Sequence, residues 1–136
     1  MKIVGRLIGA LVAVAIVVLL AQFIASETGE VVVLHTTDAK GQDTTTRVWI
    51  VDHDGAQWLR AGHPESAWYV RLAAQPAIRV QRGDVVADYV AVPAPDQRTI
   101  VNEAMRHKYG WRDALISLTV GGRDRAIPIR LVPQVR

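Results

Sequence analysis

The chain has no cysteine. That absence removes disulfide frameworks, thiolate metal sites and cysteine nucleophiles together. Histidine is scarce: His35, His53, His63 and His107 include no pair four residues apart, and none has zinc-site spacing. Phenylalanine occurs once, so aromatic character rests on four tryptophans and three tyrosines. Excess charge is missing too. The formal net charge is +3, but Lys2 and Arg6 lie ahead of a long apolar run, and what remains is no nucleic-acid footprint. Charge is uneven along the chain: residues 27–97 hold 6 basic and 10 acidic side chains, residues 98–136 hold 8 and 3. A basic C-terminal third suits plain solubility, and equally an anionic ligand or membrane surface.

No charge interrupts residues 7–25, LIGALVAVAIVVLLAQFIA, where Gln22 is the one strongly polar side chain. As a helix the run reaches roughly 28 Å, enough for a bilayer core. Lys2 and Arg6 precede it and Glu27 and Glu30 follow it, a bias that predicts a cytoplasmic N-terminus and an exported domain. A cleavable signal peptide shares this grammar. The run exceeds the usual apolar length of one, however, and cleavage after Ala25 would put bulky Phe23 where a small residue is needed. The expectation is a single-pass transmembrane anchor over residues 1–26, with the lipid bilayer as partner. One domain follows over residues 27–136, since the remaining length has room for one.

After the apolar run the composition becomes globular. Val31 to Leu34, ending at His35-Thr36-Thr37, is a β-branched run that predicts a buried strand, and the polar residues 38–45 predict a loop. Thr46 to Asp52 and Gln57 to Ala61 flank Asp54-Gly55, a strong hairpin signal. A two-residue loop there sets His53 against Ala56, Val51 against Trp58 and Trp49 against Arg60. Val48, Ile50 and Leu59 fall on the other face, which predicts the core. The Trp49, Trp58, Arg60 face needs another cover: the helix near Ala67, a second copy of the chain in a homodimer, or a flat aromatic ligand.

In the helix expected from Ser66, Trp68 pairs with Leu72 and Tyr69 with Ala73 at i,i+4, while Arg71 and Gln75 face water. Pro76 ends it. Ile78 and Val80 alternate with Arg79 and Gln81 as a strand, Gly83-Asp84 makes a second tight turn, and Val85 to Val92 runs on to Pro93 and Pro95. Asp96 stands where a cap belongs, before a helix with Ile100, Val101, Ala104, Met105 and Tyr109 on one face and a stop at Gly110. Residues 111–120 predict a short helix broken by Gly121-Gly122. Arg125 to Val132 closes the chain as a strand that Pro128 pushes to a sheet edge. Six strands with short hairpin links predict an antiparallel sheet curled into a small barrel, with two or three helices.

Several motifs have plain explanations. Asp52-His53-Asp54 can chelate a cation, but hairpin turns collect polar residues anyway, and no metal is expected. Arg82-Gly83-Asp84 spells an adhesion tripeptide that a tight turn accounts for. Thr44-Thr45-Thr46 has no neighbouring base, and no catalytic residue is assigned. Trp68 and Tyr69 suit either core or the wall of a flat-ligand pocket.

Several pieces in order resemble the deazaflavin-dependent nitroreductase-like family of the FMN-binding split β-barrel superfamily. Thr36-Thr37-Asp38-Ala39-Lys40-Gly41 is similar to its Thr-Thr-Gly-Arg-Lys loop, and the Asp54-Gly55 hairpin falls at the expected distance. Ala67-Trp68-Tyr69-Val70-Arg71-Leu72, with Gln75-Pro76 and Val80-Gln81, resembles its helix-to-strand signature. Arg125-Ala126-Ile127-Pro128-Ile129 resembles its last strand, and Met105 to Gly110 resembles a split-barrel branch of no established activity. The resemblance spans about Val31 to Pro133 and implies a six-stranded antiparallel split β-barrel.

It further implies a reduced deazaflavin, or FMN, passing hydride to a quinone or nitro compound, with Lys40 as phosphate contact, Thr37 bordering the same loop, and Trp68 and Tyr69 walling the ring. Arg60 joins them from the hairpin register, placed where relatives carry a small or serine residue just before a lysine. The loop departs from the family: Asp38 replaces glycine, Ala39 replaces arginine, and Asp43 adds a second carboxylate beside the phosphate position, where like charges repel. Two functions follow, a membrane-anchored reductase of quinone-like flat acceptors, or a tethered barrel without cofactor chemistry that serves binding or assembly.

Overall fold

The computed structural model describes residues 1–27, 29–119 and 122–134. It opens with α1 (Lys2–Glu27), long and apolar enough from Lys2 to Ile24 to cross a membrane, a property that a signal sequence shares. Six strands follow: β1 (Val31–Thr37), β2 (Asp43–His53), β3 (Ala56–Ala61), β4 (Ala77–Arg82), β5 (Val85–Pro93) and β6 (Ile127–Pro133). They close a barrel in the order β1-β2-β3-β6-β5-β4, every pair antiparallel. Three helices are inserted: α2 (Ala67–Ala74) after β3, then α3 (Arg98–Tyr109) and α4 (Trp111–Thr119) between β5 and β6.

The hairpin register is the expected one. His53 faces Ala56 and Val51 faces Trp58 around a turn in which Asp54 and Gly55 both have positive φ. Val48, Ile50 and Leu59 point inward to meet Val32, Leu34, Val80 and Ile129, and Leu72 of α2 closes one end. Burying one such side chain stabilises by roughly 1.5–3 kcal/mol, so alternate residues around the ring hold the barrel shut.

Several local expectations are corrected. β1 is buried on one face, with Val32, Leu34 and Thr36 inward, because it sits in a closed sheet whose outer side is only partly covered. β2 starts three residues early: Asp43, Thr44 and Thr45 pair with Thr37, Thr36 and His35, and the loop shrinks to residues 38–42. Threonine suits a strand, and the barrel rim needs no apolar side chain there. Arg71 and Gln75 do not simply face water. Because α2 lies against the end of β1, Arg71 donates to Thr36 Oγ1 at 2.8 Å and Thr46 Oγ1 at 3.3 Å, and Gln75 Nε2 reaches the Asp38 carbonyl at 3.2 Å. Asp96 caps nothing: it lies inside a 3-10 turn, Pro95–Gln97, and Gln97 stands at the start of α3. Ile100 is exposed, leaving Val101, Met105 and Tyr109 as the buried stripe of α3.

Pro128 does not mark an edge, since β6 lies between β3 and β5. Its carbonyl accepts from Ala94 N–H, and the Ala94 carbonyl that an ordinary residue would have bonded in return accepts from Gln97 N–H instead. The missing donor therefore leaves nothing unsatisfied. Gly110 joins α3 to α4 directly. Its φ of 57° with ψ of −122° is not the left-handed stop expected but a region that glycine alone visits freely, and it turns the chain without a loop. Of the Gly121-Gly122 break, the first residue lies outside the described residues.

A charged clamp holds Glu30, just ahead of β1, against the barrel. Arg82 grips Glu30 through Nε and Nη2 at 2.8 and 2.9 Å, and Asp52 through Nη1 and Nη2 at 2.9 and 2.8 Å. Lys108 adds a bond to Glu30 Oε1 at 2.7 Å. The adhesion-like tripeptide is thus internally engaged, and Asp52 of the turn triplet is held by an arginine. Hydrogen bonding from Arg82 lowers the Glu30 carboxyl to about 2 and pulls Asp52 below its ordinary value. Depressed carboxylates stabilise the fold above their unfolded range and lose that contribution as pH falls through the folded value. The expected outcome is that the difference in thermal midpoint between the native chain and Arg82→Gln is constant above about pH 5 and narrows towards pH 2, as thermal denaturation across that range would measure.

Candidate functional site

The outward face of the β2–β3 hairpin carries Trp49, Val51, Trp58 and Arg60, and its cover is α3 and α4. Of the covers expected, α2 contributes only Trp68, which stands beside Trp49 and Arg60. Met105, Val101 and Tyr109 pack on Val51 and Trp58. Trp49 stacks on Tyr109 with centroids 4.2 Å apart and planes 7° from parallel, a contact of about 0.5–1.5 kcal/mol beyond its burial. The Tyr109 hydroxyl accepts Ile50 N–H at 3.0 Å and stands 2.6 Å from the Glu30 carbonyl and 2.8 Å from that of Ile50, its one proton serving either. Burial pushes this phenol up to about 12. Gly29 fits above the ring because it has no side chain: a Cβ there would come within 3.1 Å of Tyr109 Cδ1.

Beside the stack lies a buried charge cluster. Arg60 Nη2 donates to Asp113 Oδ1 of α4, Arg123 Nη2 donates to the same oxygen at 2.9 Å, and Arg60 Nη1 reaches Asn102 Oδ1 of α3 at 3.3 Å. Only 4% of the Arg60 side chain and 5% of that of Asp113 are exposed, so this is an interior ion pair. Burial first, and then the neighbouring Arg123 charge, push the Arg60 guanidinium below its ordinary value, while Asp113 opposes them. Two guanidiniums share one carboxylate, and Arg123 Nε is buried without a partner.

The cluster forms one side of a cavity of about 200 Å³ lined by Arg47, Val48, Trp49, Arg60, Trp68, Met105, Ile116 and Arg123. Five elements build it: β2 supplies Arg47 and Trp49, β3 Arg60, α2 Trp68, α3 Met105 and α4 Ile116. Of the five residues picked out from the sequence, Arg60 and Trp68 meet here. Tyr69 packs against the barrel core, as does the other side of Trp68. Thr37 borders a separate cleft with His35, Asp43, Arg79 and Asp88, and Lys40 stands exposed in the loop at the far end of β2. That loop is closed on itself. Asp38 Oδ1 accepts Lys40 N–H at 2.8 Å and Gln42 N–H at 2.9 Å, so a carboxylate already occupies the amides that would cradle an anion.

Sequence reasoning placed Trp49 on a face open to a flat ligand but missed Arg47, Asp113 and Arg123. The signal for Asp113 was present: a lone acid in the apolar segment Trp111 to Leu118 needs a buried partner. Among the described residues no group of three or more histidine, aspartate or glutamate side chains is placed to hold a metal.

The model of one family, the F420H(2)-dependent quinone reductases, matches residues 21–132. The chain belongs to that family. A conserved hypothetical protein from Mycobacterium tuberculosis superposes with a TM-score of 0.61, 20% identical, over 85% of this chain and 79% of its own. An F420-H2 dependent reductase does so at 0.57 and 25% identity, over 74% and 92%. The heme storage protein HutZ of Vibrio cholerae, at 0.57 and 14%, over 82% and 87%, shares the barrel fold. No curated protein matches the chain.

Membership in the F420H(2)-dependent quinone reductase family implies a deazaflavin, a flat ring system with a phosphate-bearing side chain. The cavity's donor set suits such a group, since two indoles provide flat walls and a guanidinium nitrogen is buried unpartnered beside them. Its volume falls below the roughly 300–1,000 Å³ of sites that enclose a whole small ligand, so it has room for part of one. Arg60 is needed by the fold before any ligand arrives. Replacing Asp113 with alanine is expected to cost about 3–5 kcal/mol of unfolding free energy by leaving the buried Arg60 guanidinium beside Arg123 without a counter-charge, against within about 0.5 kcal/mol for Lys40→Ala, measured by urea denaturation.

Proposed function

We propose that this protein is a membrane-anchored, deazaflavin-dependent reductase of quinone-type acceptors. The observation that carries the reading is the cavity between the barrel flank and the α3–α4 pair, walled by Trp49 and Trp68 and edged by Arg47 and Arg123, in a chain of the F420H(2)-dependent quinone reductase family. The reduced deazaflavin, when bound, supplies the hydride. The chain positions and shields it. Trp49 and Trp68 hold a flat ring, Met105 and Ile116 keep water from its edge, and Arg47 and Arg123 meet negative charge. Lys40, the exposed cation of the β1–β2 loop, serves the phosphate through its side chain, since its backbone amide is taken by Asp38. Thr37 and Tyr69 support the loop and α2, and Arg60 holds Asp113.

Anchoring is favoured over a cleaved leader because α1 packs against α4 and Glu30, just beyond it, is gripped by Arg82 and Lys108. A lipid-soluble quinone then suits the location, the anchor holding the site beside its pool. The second reading, a tethered barrel without cofactor chemistry, is favoured by one observation, the capture of the loop amides by Asp38.

Titration of the full chain in detergent with the deazaflavin and with FMN, followed by tryptophan fluorescence and cofactor absorbance, separates the two. Saturable quenching in the low-micromolar range is the expected result for the deazaflavin. Trp68→Ala abolishes it, and Lys40→Ala weakens it about tenfold, the worth of one charged phosphate contact. No saturation with either cofactor would sink the reductase reading in favour of the second.

A further inference from the structure

Helix α4 is turned inside out for a surface helix. Asp113, its one acid, is buried, and Ile116 and Ser117 beside it are partly covered. The opposite side carries Trp111, Ala114 and Leu118, with Leu115 next to them: Trp111 is 55% and Leu118 82% exposed. A helix at a protein surface ordinarily shows the reverse, polar residues outward and an apolar stripe inward. The inversion has a visible cause on its inner side, where Arg60 and Arg123 hold Asp113. On the outer side Trp111 and Leu118 stand largely exposed.

The occupant of that outer face is indicated by its neighbour. α4 packs alongside α1, the helix long and apolar enough to span a bilayer, so the two apolar surfaces are continuous. Its residue types suit the border between hydrocarbon and headgroups: a tryptophan at one end, leucines along the face, and Arg112 with its guanidinium 4.8 Å over the Trp111 ring. Arg106, exposed in the last turn of α3, adds positive charge nearby. At the same end of the barrel, Arg82 grips Glu30 just past α1, and its register partner Val85 is exposed together with Val86.

We infer that α4 lies in the membrane interface with Trp111 and Leu118 against lipid, so that the domain rests on the bilayer by this face. The inference depends on α1 being a membrane segment, as proposed above. It adds a fixed orientation: Ile116, on the inward face of α4 opposite Leu118, lines the cavity, so the helix that meets lipid on one side walls the cavity on the other.

The cysteine-free chain makes the test direct. Single cysteines are introduced into the full-length protein as Leu118→Cys, Val14→Cys in the middle of α1 and Ala39→Cys at the far loop. Each is labelled with an environment-sensitive fluorophore, and the protein is reconstituted in phosphatidylcholine–phosphatidylglycerol vesicles. Quenching by brominated lipid and by aqueous iodide is then compared. The expected result is strong lipid quenching and iodide protection at positions 14 and 118, and the reverse at 39. A label at 118 as open to iodide as that at 39, while 14 is quenched by lipid, overturns the interfacial placement of α4 and leaves the anchor standing. A label at 14 that lipid does not quench overturns both. All three positions are exposed, so folding is not put at risk.

Discussion

A single carboxylate, that of Asp113, sits where two guanidiniums can reach it and water largely cannot. A buried charge without partners costs several kcal/mol, so the partners dictate where the helix goes. Arg60 leaves the barrel wall at β3 and Arg123 comes from the segment leading into β6; α4 is fixed at the point where both meet one oxygen. From that follow the position of Ile116, the closure of the cavity, and the outward display of Trp111 and Leu118. The cluster is weak evidence for stability, since a well-packed apolar set of the same volume often does as well. What it supplies is an orientation that apolar packing would not choose, because apolar packing alone would roll α4 over.

A second charged node works at the other end of β2. Glu30, only three residues beyond α1, receives both Arg82 and Lys108, and its backbone carbonyl lies against the Tyr109 hydroxyl. The junction between the apolar helix and the barrel is therefore a fitted joint: Gly29 is pressed on the Tyr109 ring, Tyr109 on Trp49, and Trp49 borders the cavity. Displacement of α1 relative to the barrel has to disturb that chain of contacts before it reaches any ligand.

How much of this the sequence disclosed depends on the range of the interaction. The hairpin at Asp54-Gly55 was legible because its turn chemistry is local, and register then assigned Val48, Ile50 and Leu59 to the core. The six strands and two or three helices were legible from period and from proline and glycine breaks, and the family from the order of short motifs. The cover of the Trp49, Trp58, Arg60 face was not, since Tyr109 and Asp113 lie some fifty residues along the chain and no local pattern links them to Arg60. Arg71 was misjudged for a related reason: helical periodicity reports faces of α2, whereas its partners Thr36 and Thr46 belong to strands the helix abuts. Of the residues singled out for a site, Trp68 and Arg60 line one cavity. Thr37 and Lys40 lie at the β1–β2 loop, outside the cavity lining.

The position of α4, with Ile116 towards the cavity and Leu118 outward, bears on kinetics. An acceptor that reaches the site through the bilayer moves in two dimensions, and its effective concentration is its mole fraction among lipids. Turnover would then obey surface dilution: adding inert lipid at constant total acceptor would slow the reaction, and adding water would not. A barrel held off the membrane on a free tether would show the opposite dependence. Through Asp113 and the helix it orients, a buried ion pair would decide which solvent the enzyme shares with its substrate.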